Sequence, residues 1–258
     1  MATYLDRILA RHREVAAVDS RATADLRARA LDTAPTRGFT AALRATEGLA
    51  VISEIKRRSP SKGDLAIGLD PAVLAQQYEQ GGASCLSVLT DEEFFGGSVA
   101  DLQAARAACA LPVLRKDFTV CEHDVLDARV MGADCVLLIA AALSPGELAQ
   151  LHGLAREVGI DVLVEIHDEG ELDHALAAGA DVVGVNQRDL VTFQVDHERA
   201  VRMAGVIPAG VVRVAESGVR GVDDARSLRG AGYHAVLVGE TLVTSGDPVA
   251  AVAMLRSA

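Results

Sequence analysis

The sequence predicts an α/β protein, a single (β/α)8 TIM barrel with an N-terminal helical extension. Short apolar runs occupy 49–55, 85–90, 112–116, 134–140, 161–166, 181–186, 211–215 and 234–239. Stretches of helical period separate them in strict alternation. The 258 residues match the length such a barrel commonly takes, about 250. Strands that read as near-continuous apolar runs belong to a parallel sheet covered by helices. A doubly wound open sheet stays as the rival, because periodicity does not show closure.

In chain order, residues 1–46 are polar and rich in Arg and Asp, with apolar residues at helical spacing: Leu5, Ile8 and Leu9, then Leu26, Ala30 and Leu31. They predict one or two helices packed on a catalytic barrel that spans 47–258. Within the barrel the joins repeat as GGASCLSV at 81–88, GADCVLLI at 132–139, GADVVGV at 179–185 and AGYHAVLV at 231–238. In each, a glycine can close the preceding helix before a buried strand begins. Helix starts carry the matching signals. Ser144-Pro145 with Glu147 reads as a capping box, and Asp70-Pro71 and Asp247-Pro248 read as caps with Pro in the first turn.

Composition narrows the function. Half of the residues are hydrophobic, which supplies a large core, and the formal net charge is -11 with a pI near 5.1. Such a chain is a poor partner for nucleic acid or an anionic membrane, so an anionic ligand must meet a local basic cluster. Cys85, Cys109, Cys121 and Cys135 lie far apart with no CxxC spacing, as free thiols in a reducing cytosol would. Neither a signal peptide, a transit peptide nor a long apolar span is apparent, so the expected location is cytoplasmic. Only three of the 25 basic residues are lysines: Lys56, Lys62 and Lys116. Lysine has a titratable, compact ammonium, which arginine lacks.

In barrels of this kind the active site lies at the carboxyl ends of the strands. The polar residues there are Glu54 and Lys56, Lys116, Glu165, Asn186 with Arg188, and Glu216 with Ser217. Alternation puts Ile52, Glu54 and Lys56 on one face, and likewise groups Leu114, Lys116 and Phe118, then Leu163 and Glu165, then Asn186 and Arg188, then Val212, Val214 and Glu216. If each face is inward, they converge on one cavity in which ammonium and carboxylate groups can act as acid and base. The plainer alternative is a ring of ion pairs at the barrel mouth.

Two glycine-rich turns, SGVRG at 217–221 and VGETL at 238–242, fall at helix starts after strands seven and eight, where such barrels bind phosphate. The basic loop RRSPSKGD at 57–64 suits a mobile lid over an anion. Phe94 and Phe95, in DEEFFGGS at 91–98, either cover a flat ring of the substrate or form a packed corner. No histidine spacing suits a metal, and no nucleotide-binding glycine motif follows a strand. Neither a metal nor an organic cofactor is expected.

The runs SEIKRRSPSKG, FFGGS, PVLRKDF, DCVLLIAAAL, LVEIHDE, GVNQRDL, VRVAESGV and LVGETLV, in this order and spacing, closely resemble the indole-3-glycerol phosphate synthases of tryptophan biosynthesis. The resemblance covers residues 45–245 most strongly. It implies closure of the ring of 1-(2-carboxyphenylamino)-1-deoxyribulose 5-phosphate with release of carbon dioxide and water, without cofactor or metal. Residue by residue, it implies Lys116 as the general acid on the sugar carbonyl and Lys56 as the partner of the substrate carboxylate, with a proton-donor role in dehydration in some accounts. It implies Glu165 as general base, with Glu54 as the carboxylate used in alternative schemes. Asn186, Arg188, Glu216 and Ser217 match positions that hold hydroxyls and anionic groups, and Phe95 and Phe118 match the aromatic pocket. Ser59, Gly218, Gly239 and Glu240 fall on the phosphate loops. Glu240 departs from the pattern, where serine is frequent. Its backbone N–H would serve the phosphate with the side chain turned away and Thr241 assisting. The implied partner is a small anionic molecule rather than nucleic acid or membrane, and the resemblance admits transient contact with other tryptophan-pathway enzymes. Other readings stay open: another phosphosugar barrel enzyme, either an Amadori-type phosphoribosylanthranilate isomerase or a Schiff-base aldolase, and a non-catalytic phosphosugar-binding barrel.

Overall fold

Eight parallel strands close into a barrel in the computed structural model, which describes residues 3–258. The strands are β1 (Ala50–Ile55), β2 (Cys85–Leu89), β3 (Val113–Lys116), β4 (Cys135–Ile139), β5 (Asp161–Ile166), β6 (Val182–Asn186), β7 (Val212–Glu216) and β8 (Ala235–Val238). Each pairs with its chain neighbours. Closure comes from β1 pairing with β8, in the register Ala50 opposite Ala235 through Ser53 opposite Val238. The open-sheet alternative is thereby removed.

The extension holds α1 (Tyr4–Val18), α2 (Thr23–Asp32) and α3 (Phe39–Ala45). The barrel then carries α4 (Pro71–Gln80), α5 (Glu92–Phe95), α6 (Val99–Ala108), α7 (Glu122–Val130) and α8 (Pro145–Glu157). After these come α9 (Glu169–Ala177), α10 (Arg199–Ala204), α11 (Val222–Gly230), α12 (Glu240–Val243) and α13 (Pro248–Arg256). The expected caps are present: Ser144 and Glu147 exchange hydrogen bonds at the start of α8, and Asp70 and Asp247 accept backbone N–H groups of α4 and α13. Gly82, Gly132, Gly179 and Gly232 all take positive φ just past a helix end, as the repeated joins require.

Strand alternation sorts the apolar side chains into two cores. Val51, Leu86, Val136, Val164 and Val183 face outward onto the helices, among Leu74, Tyr78, Leu126 and Leu148. Ile52, Leu114, Leu137, Leu163, Val214 and Leu237 face inward and fill the barrel. Phe39 and Leu43 of α3 join that inner core and are fully buried or nearly so. Three helices precede β1 where the sequence suggested one or two. The third is seven residues long and was too short to stand out, and its role is to plug the barrel floor. Leu31, read as part of a buried face, is 56% exposed, and α2 packs through Leu26 and Ala30 instead.

Two carboxylates at strand starts fasten this plug. Asp134, fully buried at the start of β4, accepts from Arg37 N at 2.8 Å, Val113 N at 2.8 Å and Arg106 Nη2 at 3.0 Å. Asp161 accepts from Thr40 N at 2.8 Å. Near the upper rim α1 is tied by Arg11 to Glu93, by Arg13 to Glu147 and by His12 to Asp91. No helix among the described residues is long and apolar enough to cross a membrane.

Removing the Asp134 carboxylate leaves two backbone donors and the half-buried Arg106 guanidinium without their acceptor. Asp134→Ala is therefore expected to lose about 3 kcal/mol of stability, read as a lower urea midpoint, and an unchanged midpoint would contradict the anchoring role.

Candidate active site

The carboxyl ends of the strands surround a cavity of about 520 Å³. Among the residues that line it are Glu54, Lys56, Ser59, Phe95, Lys116, Phe118, Glu165, Asn186, Arg188, Glu216, Ser217, Gly218, Gly239 and Glu240, so every residue to which the resemblance gave a role faces one space. The extension adds Tyr4, Leu5 and Ile8 to the wall.

Lys116 Nζ lies 3.3 Å from Glu165 Oε2 and 3.8 Å from Glu216 Oε2. On β1, Lys56 Nζ pairs with Glu54 Oε1, and Tyr78 donates to the Glu54 carbonyl at 3.1 Å. Asn186 Nδ2 donates to Glu165 Oε1 at 2.9 Å, and Asn186 Oδ1 accepts from Arg188 N at 3.0 Å. Glu54, Glu165 and Glu216 are all buried, so the site is a low-dielectric one.

Burial and charge separate the states of these groups. Burial pulls Lys116 towards its neutral form, but Glu165, Glu216 and Glu54 outweigh it and hold the ammonium above its ordinary range. Burial raises Glu165, but Lys116, His167 and the Asn186 amide more than compensate, so it stays below the usual carboxylate range. Glu216 goes the other way: burial and the Glu165 charge push it well above that range, with Lys116 only partly opposing. The two carboxylates are thus pushed in opposite directions, which is the pattern of a site with separate base and acid.

Glycines make room for this packing. A Cβ at Gly184 on β6 would fall on the Glu216 carboxylate, and one at Gly239 would fall on that of Glu54. Ser217 takes a positive φ of 65°, rare for a residue with a side chain, just after Glu216 and before Gly218. Gln187 Nε2 fixes that turn by donating to the Ser217 carbonyl at 2.8 Å. Thr241 Oγ1 donates to Val219 O at 2.7 Å, so the two glycine turns are joined to each other.

The Glu240 side chain is not turned away. It pairs with Lys62 Nζ at 3.2 Å and lies 4.0 Å from Arg188 Nη2, occupying cations that an anion would need. Nor do the arginines of the 57–64 loop face the cavity. Arg57 binds Asp101, and Arg58 donates to the Glu92 and Glu93 carbonyls, so Lys62 is the cation this loop turns inward. The two phenylalanines divide their roles: Phe95 faces Phe118 with ring centroids 6.2 Å apart, while Phe94 packs edge-on against Tyr4 at 5.9 Å.

Sequence reasoning missed the groups behind this wall. His12 on α1 lies 3.0 Å from Asp91 and 3.8 Å from Asp117, with its ring 5.6 Å from that of Phe118. Three potential metal ligands therefore come together. Asp117, however, already takes Arg115 at 3.0 Å and the Thr90 hydroxyl, and Asp91 caps α5, so the cluster reads as a compensated ion-pair network. Nothing in linear spacing joins residue 12 to 91 and 117. His167 was passed over as well, although alternation in the run LVEIHDE puts it on the face of Glu165 and could have found it.

The comparisons with known proteins agree with one another. The family profile described as indole-3-glycerol phosphate synthase matches residues 5–255. Indole-3-glycerol phosphate synthase 2 of Streptomyces coelicolor is 57% identical over 214 residues, covering 83% of each chain. The indole-3-glycerol phosphate synthase of Mycobacterium avium is 50% identical over 259 residues, 100% of this chain and 95% of that one. Among solved structures, thiamine phosphate pyrophosphorylase from Pyrococcus furiosus superposes with a TM-score of 0.60 at 16% identity, covering 81% of this chain and 94% of its own. The N-acetylmannosamine-6-phosphate 2-epimerase from Clostridium perfringens gives 0.61 at 14% identity, covering 77% and 89%. At such identities these two share the fold alone.

The close approach at Gly184 is testable by structure. Gly184→Ala should still fold but expel the Glu216 carboxylate from its place beside Lys116. A variant crystal structure with Glu216 in its present position would disprove the packing argument.

Proposed function

The chain belongs to the indole-3-glycerol phosphate synthase family, and from that premise we propose that Lys116 and Glu165 carry the proton transfers of ring closure in the buried mouth of the barrel. The activity is that of an indole-3-glycerol phosphate synthase. In our reading it is a carboxy-lyase of tryptophan biosynthesis that acts on 1-(2-carboxyphenylamino)-1-deoxyribulose 5-phosphate. Lys116 protonates the sugar carbonyl as the aromatic carbon attacks, carbon dioxide leaves, and dehydration completes the indole. Glu165 is the general base, and Lys56 meets the substrate carboxylate with Glu54 at its side.

The observation that carries this reading is the ammonium of Lys116 between two buried carboxylates, 3.3 Å from Glu165 and 3.8 Å from Glu216, whose surroundings shift them in opposite directions. Proton transfer requires such a pair of unlike environments. The same charge on Lys116 argues against a Schiff-base aldolase, whose lysine must be free to attack as the neutral amine. Asn186, Arg188, Glu216 and Ser217 hold the hydroxyls and anionic groups, Phe95 and Phe118 cover the ring, and the phosphate sits against Ser59, Gly218, Gly239 and the Glu240 backbone. We assign residues 1–46 to an extension and 47–258 to the catalytic barrel, in a cytoplasmic enzyme with neither nucleic acid nor membrane as partner.

The chain has no tryptophan, so indole fluorescence that develops with substrate reports product alone, and its absence with folded protein would refute the assignment. Lys116→Ala should lose at least about 100-fold in kcat, the lower range for general acid catalysis, while substrate binding measured by calorimetry persists. Undiminished turnover would remove Lys116 from the mechanism. Releasing Lys62 and Arg188 from Glu240 should help an anion: Glu240→Gln is expected to lower KM by about fivefold, the equivalent of about 1 kcal/mol for a partly exposed ion pair, with kcat little changed.

A further inference from the structure

His167 stands behind the Glu165 carboxylate, and the proton transfers above leave it without a role. It follows β5 directly, two positions after Glu165. Its backbone N–H donates to Glu171 Oε2 at 2.7 Å, and its ring Nδ1 lies 3.1 Å from the same oxygen. The first turn of α9 therefore fixes the imidazole. The other ring nitrogen, Nε2, is buried, has no hydrogen-bond partner among the described residues and lies 4.0 Å from Glu165 Oε1. An unpaired buried nitrogen is costly, and this one is aimed at the carboxylate that must take a proton.

The charges around the pair come from five elements. Glu171 on α9 and Glu165 on β5 favour the imidazolium, against burial and the guanidinium of Arg199 on α10. Glu165 in turn faces Lys116 from β3, Asn186 from β6 and Glu216 from β7. Of these, Lys116 gives up its proton in the proposed reaction. At that moment Glu165 loses its principal counter-charge, and the cation left beside it is His167.

We propose that His167 is a positioning residue for Glu165: clamped by Glu171, its Nε2–H keeps the Glu165 carboxylate ionised and turned towards Lys116 while Lys116 is neutral. The role rests on the reading of Glu165 as general base. It separates the two carboxylates on either side of the imidazole by task, with Glu171 holding the ring and Glu165 held by it.

The test is the pH profile of kcat/KM for the wild type, His167→Asn, His167→Gln, Glu171→Gln and Glu165→Gln. Without the imidazolium the carboxylate protonates more readily, so the acidic limb moves to higher pH. The expected displacement is at least about 0.7 pH unit, that of two unit charges 4 Å apart at the dielectric of water. Both His167 variants should show it, with His167→Gln keeping more of kcat because its amide retains a donor near the Nε2 position. Glu171→Gln, which removes the charge that holds the His167 ring and leaves the Glu165 side chain itself untouched, should move the limb the same way by less. A fall in kcat with the limb unmoved in both His167 variants, while Glu165→Gln is inactive, would overturn the role of His167 and leave Glu165 as base. Wild-type turnover in Glu165→Gln would overturn both.

Discussion

Lys116 lies 3.3 Å from Glu165 and 3.8 Å from Glu216 at the end of a sheet whose strands are otherwise apolar, and this contact constrains the rest of the barrel mouth. Lys56 and Lys116 bring two positive charges, while Glu54, Glu165 and Glu216 would bring three negative ones. Burial makes the surplus charge expensive. Burial and the charge of Glu165 push Glu216 well above the usual carboxylate range while Lys116 draws Glu165 below it, so the electrostatics drive two chemically identical side chains apart. Gly184 and Gly239 belong to the same solution. Any side chain there would take the space of Glu216 or Glu54, so the inward face of β6 and the end of β8 are shaped by the carboxylates as much as by the core.

The extension is connected to that site from both ends of the barrel. At the floor, α3 fills the interior with Phe39 and Leu43 and is held by Asp134 and Asp161 at the first residues of the strand region. At the mouth, His12 of α1 reaches Asp91 and Asp117. Asp91 caps the short helix that ends in Phe95, and Asp117 lies between Lys116 and Phe118. Asp91 and Asp117 compete with burial for the His12 proton and win, so the ring carries its charge above its ordinary pKa. One imidazolium therefore joins three segments that each supply a wall of the cavity.

The strands and their inward faces were legible because a parallel barrel leaves little freedom: apolar runs must be strands, and a charged residue ending one must point into the mouth. Glu54, Lys116, Glu165 and Glu216 follow from alternation alone. What alternation cannot give is contact across distant sequence, and so His12 with Asp91, Asp134 with Arg37, and the plug of α3 were hidden. Lys62 and the arginines next to it show a different limit. All sit in one basic loop, yet Arg57 and Arg58 turn to the neighbouring loop and Lys62 to Glu240, a choice set by partners and invisible in composition.

The uneven use of cations acquires a physical sense from these partners. Lys56, Lys62 and Lys116, the chain's three lysines, all line the cavity. The arginines that tie the fold do work for which a planar, permanently charged fork is suited. Arg37 spans the carbonyls of Arg106, Cys109 and Leu111, and Arg129 spans those of Thr33, Ala34 and Val158. Such a group cannot give up a proton near neutral pH, and its several donors hold it in one geometry. A site that must both bind an anion and move protons requires the opposite properties, a compact charge that a neighbouring carboxylate can raise or release. Gathering all three lysines in the cavity, beside Arg188 and Arg220, leaves its charges adjustable while the remaining arginines keep the scaffold's fixed, which allows an otherwise acidic protein to meet a phosphorylated, carboxylated substrate.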